Sequence, residues 1–125
     1  MATLRRYSRQ RERIYQAVHA SREHPSAQMV YDLLREELPR LSLGTVYRNL
    51  IFFQQHGDIQ SVGVVKGQER FDAVTTPHSH FVCNCCGSVL DLHDVQMDAG
   101  LNRSVSRQYG LAVSRHELTF YGLCP

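Results

Sequence analysis

The spacing of apolar residues changes from a helical to a strand period part-way along this 125-residue chain. Up to Gly57, apolar side chains recur every three or four residues, which predicts three helices, over 8–20, 26–37 and 42–56. From Asp58 onward apolar and polar residues alternate, and Lys66-Gly67 is typical of the tight turn of a β-hairpin. Three helices followed by a hairpin are the element order of a winged helix-turn-helix domain.

A second boundary is expected at Thr75-Thr76-Pro77, which has the composition of a hinge. Beyond it we predict strands over 80–83, 88–93 and 111–123, and a helix over 95–108 with Gly110 as its C-terminal cap. The predicted fold class is therefore α+β, with a winged-helix domain over 1–74 and a small dimerisation domain over 78–125. The second domain has too few strands to close a core alone, so we expect a homodimer.

The N-terminal half carries most of the basic residues, since 11 of the 14 lysines and arginines lie within residues 1–72. If Leu43, Val46 and Leu50 face the core, the third helix directs four side chains outward, namely Thr45, Tyr47, Arg48 and Asn49. This face suits the major groove of double-stranded DNA. Phosphate contacts are predicted for Arg5, Arg9, Arg11 and Lys66. A small helical domain with a solvated basic face is the alternative.

All four cysteines lie in the C-terminal half, and neither a signal peptide nor a membrane span is recognisable, so we expect a cytoplasmic protein with reduced thiols. Cys83-x-x-Cys86-Gly87 directs two thiolates at one ion, and Cys124 can return a third. Structural zinc requires four ligands. Either the fourth lies just beyond Pro125, as we expect, or the site is incomplete, since Cys85 is a poor geometric substitute. In this 125-residue form zinc is then expected to be weak or lost. Buried thiols without metal are the alternative.

A second group of candidate ligands consists of imidazoles and carboxylates: His24, Asp72, His78, His80 and Asp91. His78 and His80 are two residues apart, so on a strand both side chains leave the same face. Such mixed ligands suit Fe(II), Mn(II) or Zn(II). Histidines on the protein surface are the alternative interpretation. The remaining four histidines have no such neighbours in sequence and are interpreted as ordinary: His19, His56, His93 and His116.

Taken together, these motifs resemble the ferric uptake regulator family, and within it the peroxide-responsive repressors. The resemblance covers nearly the whole chain. It rests on five segments: His24-Pro25-Ser26-Ala27, Gly44-Thr45-Val46-Tyr47-Arg48-Asn49-Leu50, Arg70-Phe71-Asp72, His78-Ser79-His80-Phe81 with Cys83-x-x-Cys86-Gly87, and His116 through Cys124.

The resemblance implies a homodimeric repressor, not an enzyme, that binds inverted-repeat operators when a regulatory Fe(II) or Mn(II) is loaded. Carried over by position, the regulatory ligands are His24, Asp72, His78, His80 and Asp91. Cys83, Cys86 and Cys124 become structural zinc ligands. Peroxide-responsive members carry Asp at position 91, where metal-availability sensors usually carry Glu. The resemblance thus predicts that peroxide acts by Fe(II)-catalysed oxidation of His24 or His78.

Three other functions are compatible with parts of the pattern. A repressor that senses iron, manganese or zinc availability has the same fold without the oxidative step. A non-haem metalloenzyme also uses histidine and carboxylate ligands, but no general base is evident beyond the ligands themselves. A zinc-ribbon interaction module is disfavoured by the helical first half.

Overall fold

The computed structural model describes residues 2–95 and 98–125, with side chains from Arg9 onward. The chain splits into two compact units, Met1–Thr75 and Thr76–Pro125. Within the described ranges, no helix combines the length and the apolar character that crossing a membrane requires.

The first unit contains three helices and a hairpin, in the order α1 (Ala2–Ala20), α2 (Ala27–Leu34), α3 (Leu43–Gln55), β1 (Gln60–Val65) and β2 (Gln68–Asp72). This is the predicted order of a winged helix. The sequence predicts a helix that starts at residue 8, with Ser8 as its N-cap, but α1 begins well before that residue, so this prediction is wrong. The preceding segment contains alanine, leucine and arginine, which are strong helix formers and extend the helix.

Two serines begin the other helices of this unit. The Oγ of Ser26 accepts a hydrogen bond from the Met29 amide at 3.2 Å, and the Oγ of Ser42 accepts one from Thr45 at 3.1 Å. Both satisfy backbone donors that a helix N-terminus leaves unpaired. The helical spacing of apolar residues predicts that Leu33 is buried together with Val30 and Leu34, but Leu33 is 66% exposed. Successive helical residues turn by about 100°, which places Leu33 to one side of the buried face containing Val30 and Leu34.

The hairpin forms as predicted, with β1 and β2 antiparallel. Lys66 and Gly67 both have positive φ, 51° and 80°, the backbone conformation that matches the twist of a two-residue hairpin. The core of the unit lies beneath the hairpin and between the helices. Its largest fully buried apolar side chains are Phe71, Ile14, Leu34, Leu50 and Ile59.

The second unit contains β3 (Ser79–Cys83), β4 (Val89–Leu92), α4 (Ala99–Tyr109) and β5 (Thr119–Gly122). The strand order is β4-β3-β5, with β3 antiparallel to β4 and parallel to β5. Gly110 ends α4 in the left-handed conformation, as predicted. The expected strand over 111–123 is too long. A parallel neighbour requires a crossover connection, and residues 110–118 complete it before β5 begins.

Asn49 does not point outward from α3, so its expected place on the DNA-facing surface is wrong. The side chain is only 1% exposed. Its amide nitrogen donates to the Thr45 carbonyl at 2.9 Å, and its Oδ1 accepts from the Arg11 Nε at 2.8 Å. Asn49 lies three residues after Val46 and four before Phe53, which puts it on the buried face of the helix.

We therefore predict that Asn49→Ala lowers the free energy of unfolding by about 1–3 kcal/mol, because it leaves the Arg11 guanidinium without this acceptor. Chemical denaturation measures the change. Tyr47→Ala, two residues away on the exposed face of the same helix, is the matched control and should change stability by about 0.5 kcal/mol or less. Equal effects of the two substitutions would contradict the structural role of Asn49.

Candidate metal centres and nucleic-acid interface

The outward face of α3 carries the two residues expected to read DNA. Tyr47 is 43% exposed, and Arg48 is also exposed. The Thr45 hydroxyl lies 2.9 Å from the Ser42 Oγ and accepts a hydrogen bond from the Arg48 guanidinium at 3.0 Å. Thr45 thus orients Arg48 and links it to the N-cap of the helix.

The residues expected to contact phosphate differ in how the structure holds them. Arg9 is exposed on α1, and Lys66 is exposed at the tip of the hairpin. Arg11 donates through its Nε to Asn49, and its guanidinium lies 3.8 Å from the centre of the Phe52 ring. Much of Arg11 therefore serves the packing of α1 on α3. The Arg5 side chain lies outside the described residues.

In the first unit, His24 and Asp72 come together although 48 residues separate them in sequence. The His24 Nε2 lies 3.3 Å from the Asp72 Oδ2, while the Asp72 Oδ1 accepts a hydrogen bond from the Val74 amide at 2.9 Å. One carboxylate oxygen is thereby fixed by the backbone, and the other faces the imidazole.

Arg70 holds the segment before α2 against β2. Its guanidinium donates to the carbonyls of Glu23 and His24, and the neighbouring Phe71 amide donates to Pro25 at 3.0 Å. Desolvation lowers the pKa of Arg70, with Glu23 opposing the shift. These bonds secure His24 beside Asp72.

His24 itself has a φ of 55°, in the left-handed region that residues with a side chain rarely adopt. The following residue is Pro25, which disfavours the right-handed helical conformation at His24. The left-handed conformation costs roughly 1–2 kcal/mol. It persists because Arg70 binds the backbone on both sides of this position.

In the second unit, Asp91 faces the two histidines of the His-x-His motif. His80 and Asp91 are direct cross-strand partners on β3 and β4. The Asp91 Oδ1 lies 2.9 Å from the His78 Nε2 and 3.3 Å from the His80 Nε2. The two imidazole rings are 4.4 Å apart between centres. The three predicted ligands of this unit thus converge on one carboxylate oxygen.

The tautomer of His78 follows from its second contact. Its Nδ1 lies 2.8 Å from the Thr76 carbonyl oxygen, which can only accept, so Nδ1 carries a proton. A metal-binding histidine commonly donates one ring N–H to a carbonyl and directs the other nitrogen at the ion. The donor set and this tautomer both fit a divalent metal.

His93 was interpreted as an ordinary histidine, but it belongs to this group. Its Nε2 lies 3.8 Å from the Asp91 Oδ2, and its ring stacks on His78 with centres 4.6 Å apart. Asp91 and His93 are two residues apart, the spacing that singled out His78 and His80. The same rule applied to Asp91-x-His93 could have identified it.

Cys83, Cys86 and Cys124 come together as the sequence predicts, with sulfur atoms within 4.8 Å of one another. The four cysteines, all within the described ranges, form no disulfide. Gly87 has a φ of 76° and allows the turn after Cys86. The Asn84 amide donates to the Gly122 carbonyl at 2.7 Å, which fixes the ends of β3 and β5 and so places Cys124 near the turn.

The surroundings favour a thiolate at Cys83. Backbone amides, first that of Cys86 and then that of Cys124, lower the pKa of Cys83 to about 6. Hydrogen bonds from its thiol to the side chains of Cys83 and Cys86, followed by desolvation, raise the pKa of Cys124 to about 11. If all three were thiolates, their negative charges would need a cation between them, and Zn(II) is the divalent ion that such sulfur ligands favour.

Known proteins are similar to this chain over most of its length. The profile of the ferric uptake regulator family matches residues 3–121. The chain is 34% identical to the peroxide operon regulator of Bacillus subtilis over 119 residues, covering 95% of this chain and 81% of that protein.

Two solved structures share its fold. The peroxide stress regulator of Campylobacter jejuni is similar with a TM-score of 0.72 and 27% identity, over 95% of this chain and 89% of that one. The ferric uptake regulator of Helicobacter pylori reaches a TM-score of 0.76 over 93% of this chain and 77% of that one. At 23% identity it supports the fold alone.

Proposed function

Because the chain belongs to the ferric uptake regulator family, whose members are metal-dependent, DNA-binding repressors and not enzymes, we propose that it represses transcription in response to peroxide. The observation that carries this proposal is the convergence of His78 and His80 on Asp91, with the Nδ1 of His78 directed at the Thr76 carbonyl. The peroxide regulators among its relatives support the choice of signal.

The proposed regulatory set consists of five ligands for one Fe(II) or Mn(II): His24, Asp72, His78, His80 and Asp91. Each unit already gathers its own part, since His24 lies beside Asp72 and both later histidines lie beside Asp91. A ligand set drawn from both units favours one relative orientation of them. Metal affinity and DNA affinity are then coupled reciprocally.

The proposed peroxide response acts on this chain's own imidazoles. When bound, Fe(II) would supply the one electron that cleaves the O–O bond of peroxide and would regain it as the ring is oxidised, so that peroxide is the net two-electron oxidant. One peroxide oxygen replaces the hydrogen on a ring carbon of His24 or His78, and the other leaves as water. The modified ring is a poorer ligand, so the two units lose their shared ion and the operator is released. Mn(II) supports DNA binding without this chemistry.

We propose that Cys83, Cys86 and Cys124 hold structural zinc. The support is the convergence of their sulfur atoms and the backbone amides that favour a thiolate at Cys83. The Ser88 hydroxyl lies 3.0 Å from the Cys86 Sγ and can donate to it, as outer-shell groups do around metal ligands. Zinc here joins the turn after β3 to the segment after β5.

The proposed repressor is a cytoplasmic homodimer that binds an inverted-repeat operator. Leucine and tyrosine side chains of the second unit are exposed on α4, on β5 and beside them, at Leu101, Tyr109, Leu111, Tyr121 and Leu123. Apolar surface of this kind suits pairing with a second copy. A two-fold dimer presents two reading helices, which requires two symmetric half-sites in the DNA.

The closest alternative is a repressor that senses iron, manganese or zinc availability. It uses the same ligands and the same operator contacts but is indifferent to peroxide. One of the solved relatives, 26% identical, is a zinc-bound manganese uptake regulator. Oxidation of a ligand histidine is the step that separates the two functions.

For zinc, Cys86→Ser should lower the bound zinc below that of the unsubstituted chain, because it leaves two of the three converging thiolates and a structural site takes four ligands. Atomic absorption after exposure to a moderate chelator measures the content. Cys85→Ser is the matched control, one residue away and outside the three-sulfur group, and should leave zinc unchanged. Loss of zinc with Cys85→Ser would show that Cys85 is a ligand.

For DNA, Arg48→Ala should weaken operator binding by about 1–3 kcal/mol and relax the preference at one base position. Arg9→Ala should weaken operator and unrelated DNA alike and reduce the salt dependence of binding by about one unit. Fluorescence anisotropy at several salt concentrations measures both. If Arg48→Ala binds the operator like the unsubstituted chain, α3 does not read the bases.

For the signal, brief peroxide exposure of the Fe(II)-loaded protein should add one oxygen atom to His24 or His78 and abolish operator binding. Cleavage after Arg22 and Arg35 isolates His24 from the other histidines, and tandem mass spectrometry distinguishes His78 from His80 and His93. The Mn(II)-loaded protein and the peptide containing His56 are the controls. Unmodified histidines with intact operator binding would leave a metal-availability repressor.

A further inference from the structure

The second unit contains a group of possible metal ligands that needs nothing from the first. One ligand atom from each of His78, Asp91 and His93 lies within 4.8 Å of the other two. All three belong to the segment that contains β3, β4 and the turn after β4. His93 is not among the five ligands of the proposed regulatory set.

The geometry divides the carboxylate of Asp91 between two directions. Its Oδ1 is the oxygen that faces His78 and His80, whereas its Oδ2 faces His93. The His93 side chain is 56% exposed, so this side of the group is open to solvent. His78 is stacked against His93 and keeps its Nδ1 proton on the Thr76 carbonyl. An ion can therefore approach from solvent on the His93 side.

Two imidazoles and one carboxylate, with further coordination positions left open, form a donor set that suits Fe(II) and similar divalent transition metals. We propose that His78, Asp91 and His93 form a second metal site, an entry site for divalent transition metals that loads without His24 or Asp72. The three residues are called the entry triad below. The site itself rests on the geometry of the second unit alone.

The entry triad and the regulatory set have His78 and Asp91 in common, so metal bound at the triad affects regulation. This step rests on the proposed function. The Nε2 of His78 binds one ion at a time, so an ion in the entry triad competes with an ion in the regulatory set. All three ligands of the entry triad come from the second unit, so an ion held by these ligands alone does not favour a DNA-binding orientation. His93 thus holds metal in a form that is bound but not coupled to the operator.

The test uses Co(II), whose visible absorption reports imidazole and carboxylate ligation. Zinc-loaded protein is used, so that the thiols are occupied, and an absence of strong near-ultraviolet sulfur-to-cobalt absorption checks that they remain so. The double variant His24→Gly and Asp72→Asn removes the ligands of the first unit. Glycine accepts the positive φ at position 24, and asparagine keeps the Oδ1 acceptor for Val74.

This double variant should still bind one Co(II) per chain at the second unit. Adding His93→Gln should weaken that binding by more than the ~10–100-fold typical of losing an outer-shell partner. Adding His19→Gln, an exposed histidine of α1, is the matched control and should have no effect. No Co(II) binding in the folded double variant, or unchanged affinity after His93→Gln, would overturn the entry triad. If the double variant does not fold, His24→Gly alone serves the same comparison.

Operator binding separates this inference from the function it refines. With His24 and Asp72 intact, His93→Gln should retain metal-dependent operator binding. Loss of that binding would place His93 in the regulatory set and overturn a separate entry site. If operator binding proves independent of metal in the unsubstituted chain, the regulatory proposal fails while the Co(II) result stands.

Discussion

The second unit buries very few apolar side chains, so its stability depends on other interactions. Among the described residues of Thr76–Pro125, the buried apolar side chains are Val82, Cys83 and Val89, and α4 buries none. A segment of this size needs a metal, a covalent link or a partner to be stable. The cysteine group joins the ends of β3 and β5, and the exposed leucines and tyrosines offer a surface to a second copy. The proposed zinc and the proposed dimer would thus stabilise the fold on which the proposed regulatory ligands depend.

The first unit has a conventional core and uses polar contacts for a different purpose, which is to place one histidine. His24 lies in a segment without regular secondary structure, and its positive φ costs free energy. The proline that follows it restricts its backbone conformation further. Arg70 compensates by binding two successive carbonyls, and a guanidinium can do this because its donors are fixed in one plane. Asp72 follows Arg70 on β2 by two residues, so the strand that secures the backbone of His24 also supplies its carboxylate partner. The ligand pair and its support are therefore one piece of structure.

Local rules predicted the elements well and side-chain environments less well. The helix starts at Ser26 and Ser42, the Lys66-Gly67 turn and the Gly110 cap depend on neighbouring residues, and each is where the sequence predicts, whereas the start of α1 is not. Asn49 was predicted to face outward because it is polar, but its position in the helix lies on the same buried face as Val46 and Phe53. Leu33 shows the converse error, since an apolar residue was assumed to be buried.

The end of the chain was predicted as one long strand because nothing local indicates a parallel crossover. His93 was missed because resemblance carries over only known ligands, whereas its contact with Asp91 follows from strand geometry.

Asp91 belongs to both proposed metal sites, and each of its two carboxylate oxygens faces a different one. This division gives a physical account of regulation. An ion on the Oδ1 side shares His78 and His80, and in the proposed regulatory set it also engages the DNA-binding unit. An ion on the Oδ2 side shares His78 with His93 and remains within the second unit. Because the two modes exclude each other, the fraction of protein able to bind DNA depends on the ratio of the two affinities as well as on metal concentration. Strengthening the entry mode lowers the apparent affinity of the regulatory mode, and by reciprocity operator DNA shifts metal away from His93. A histidine that never touches DNA can in this way set the metal concentration at which repression begins.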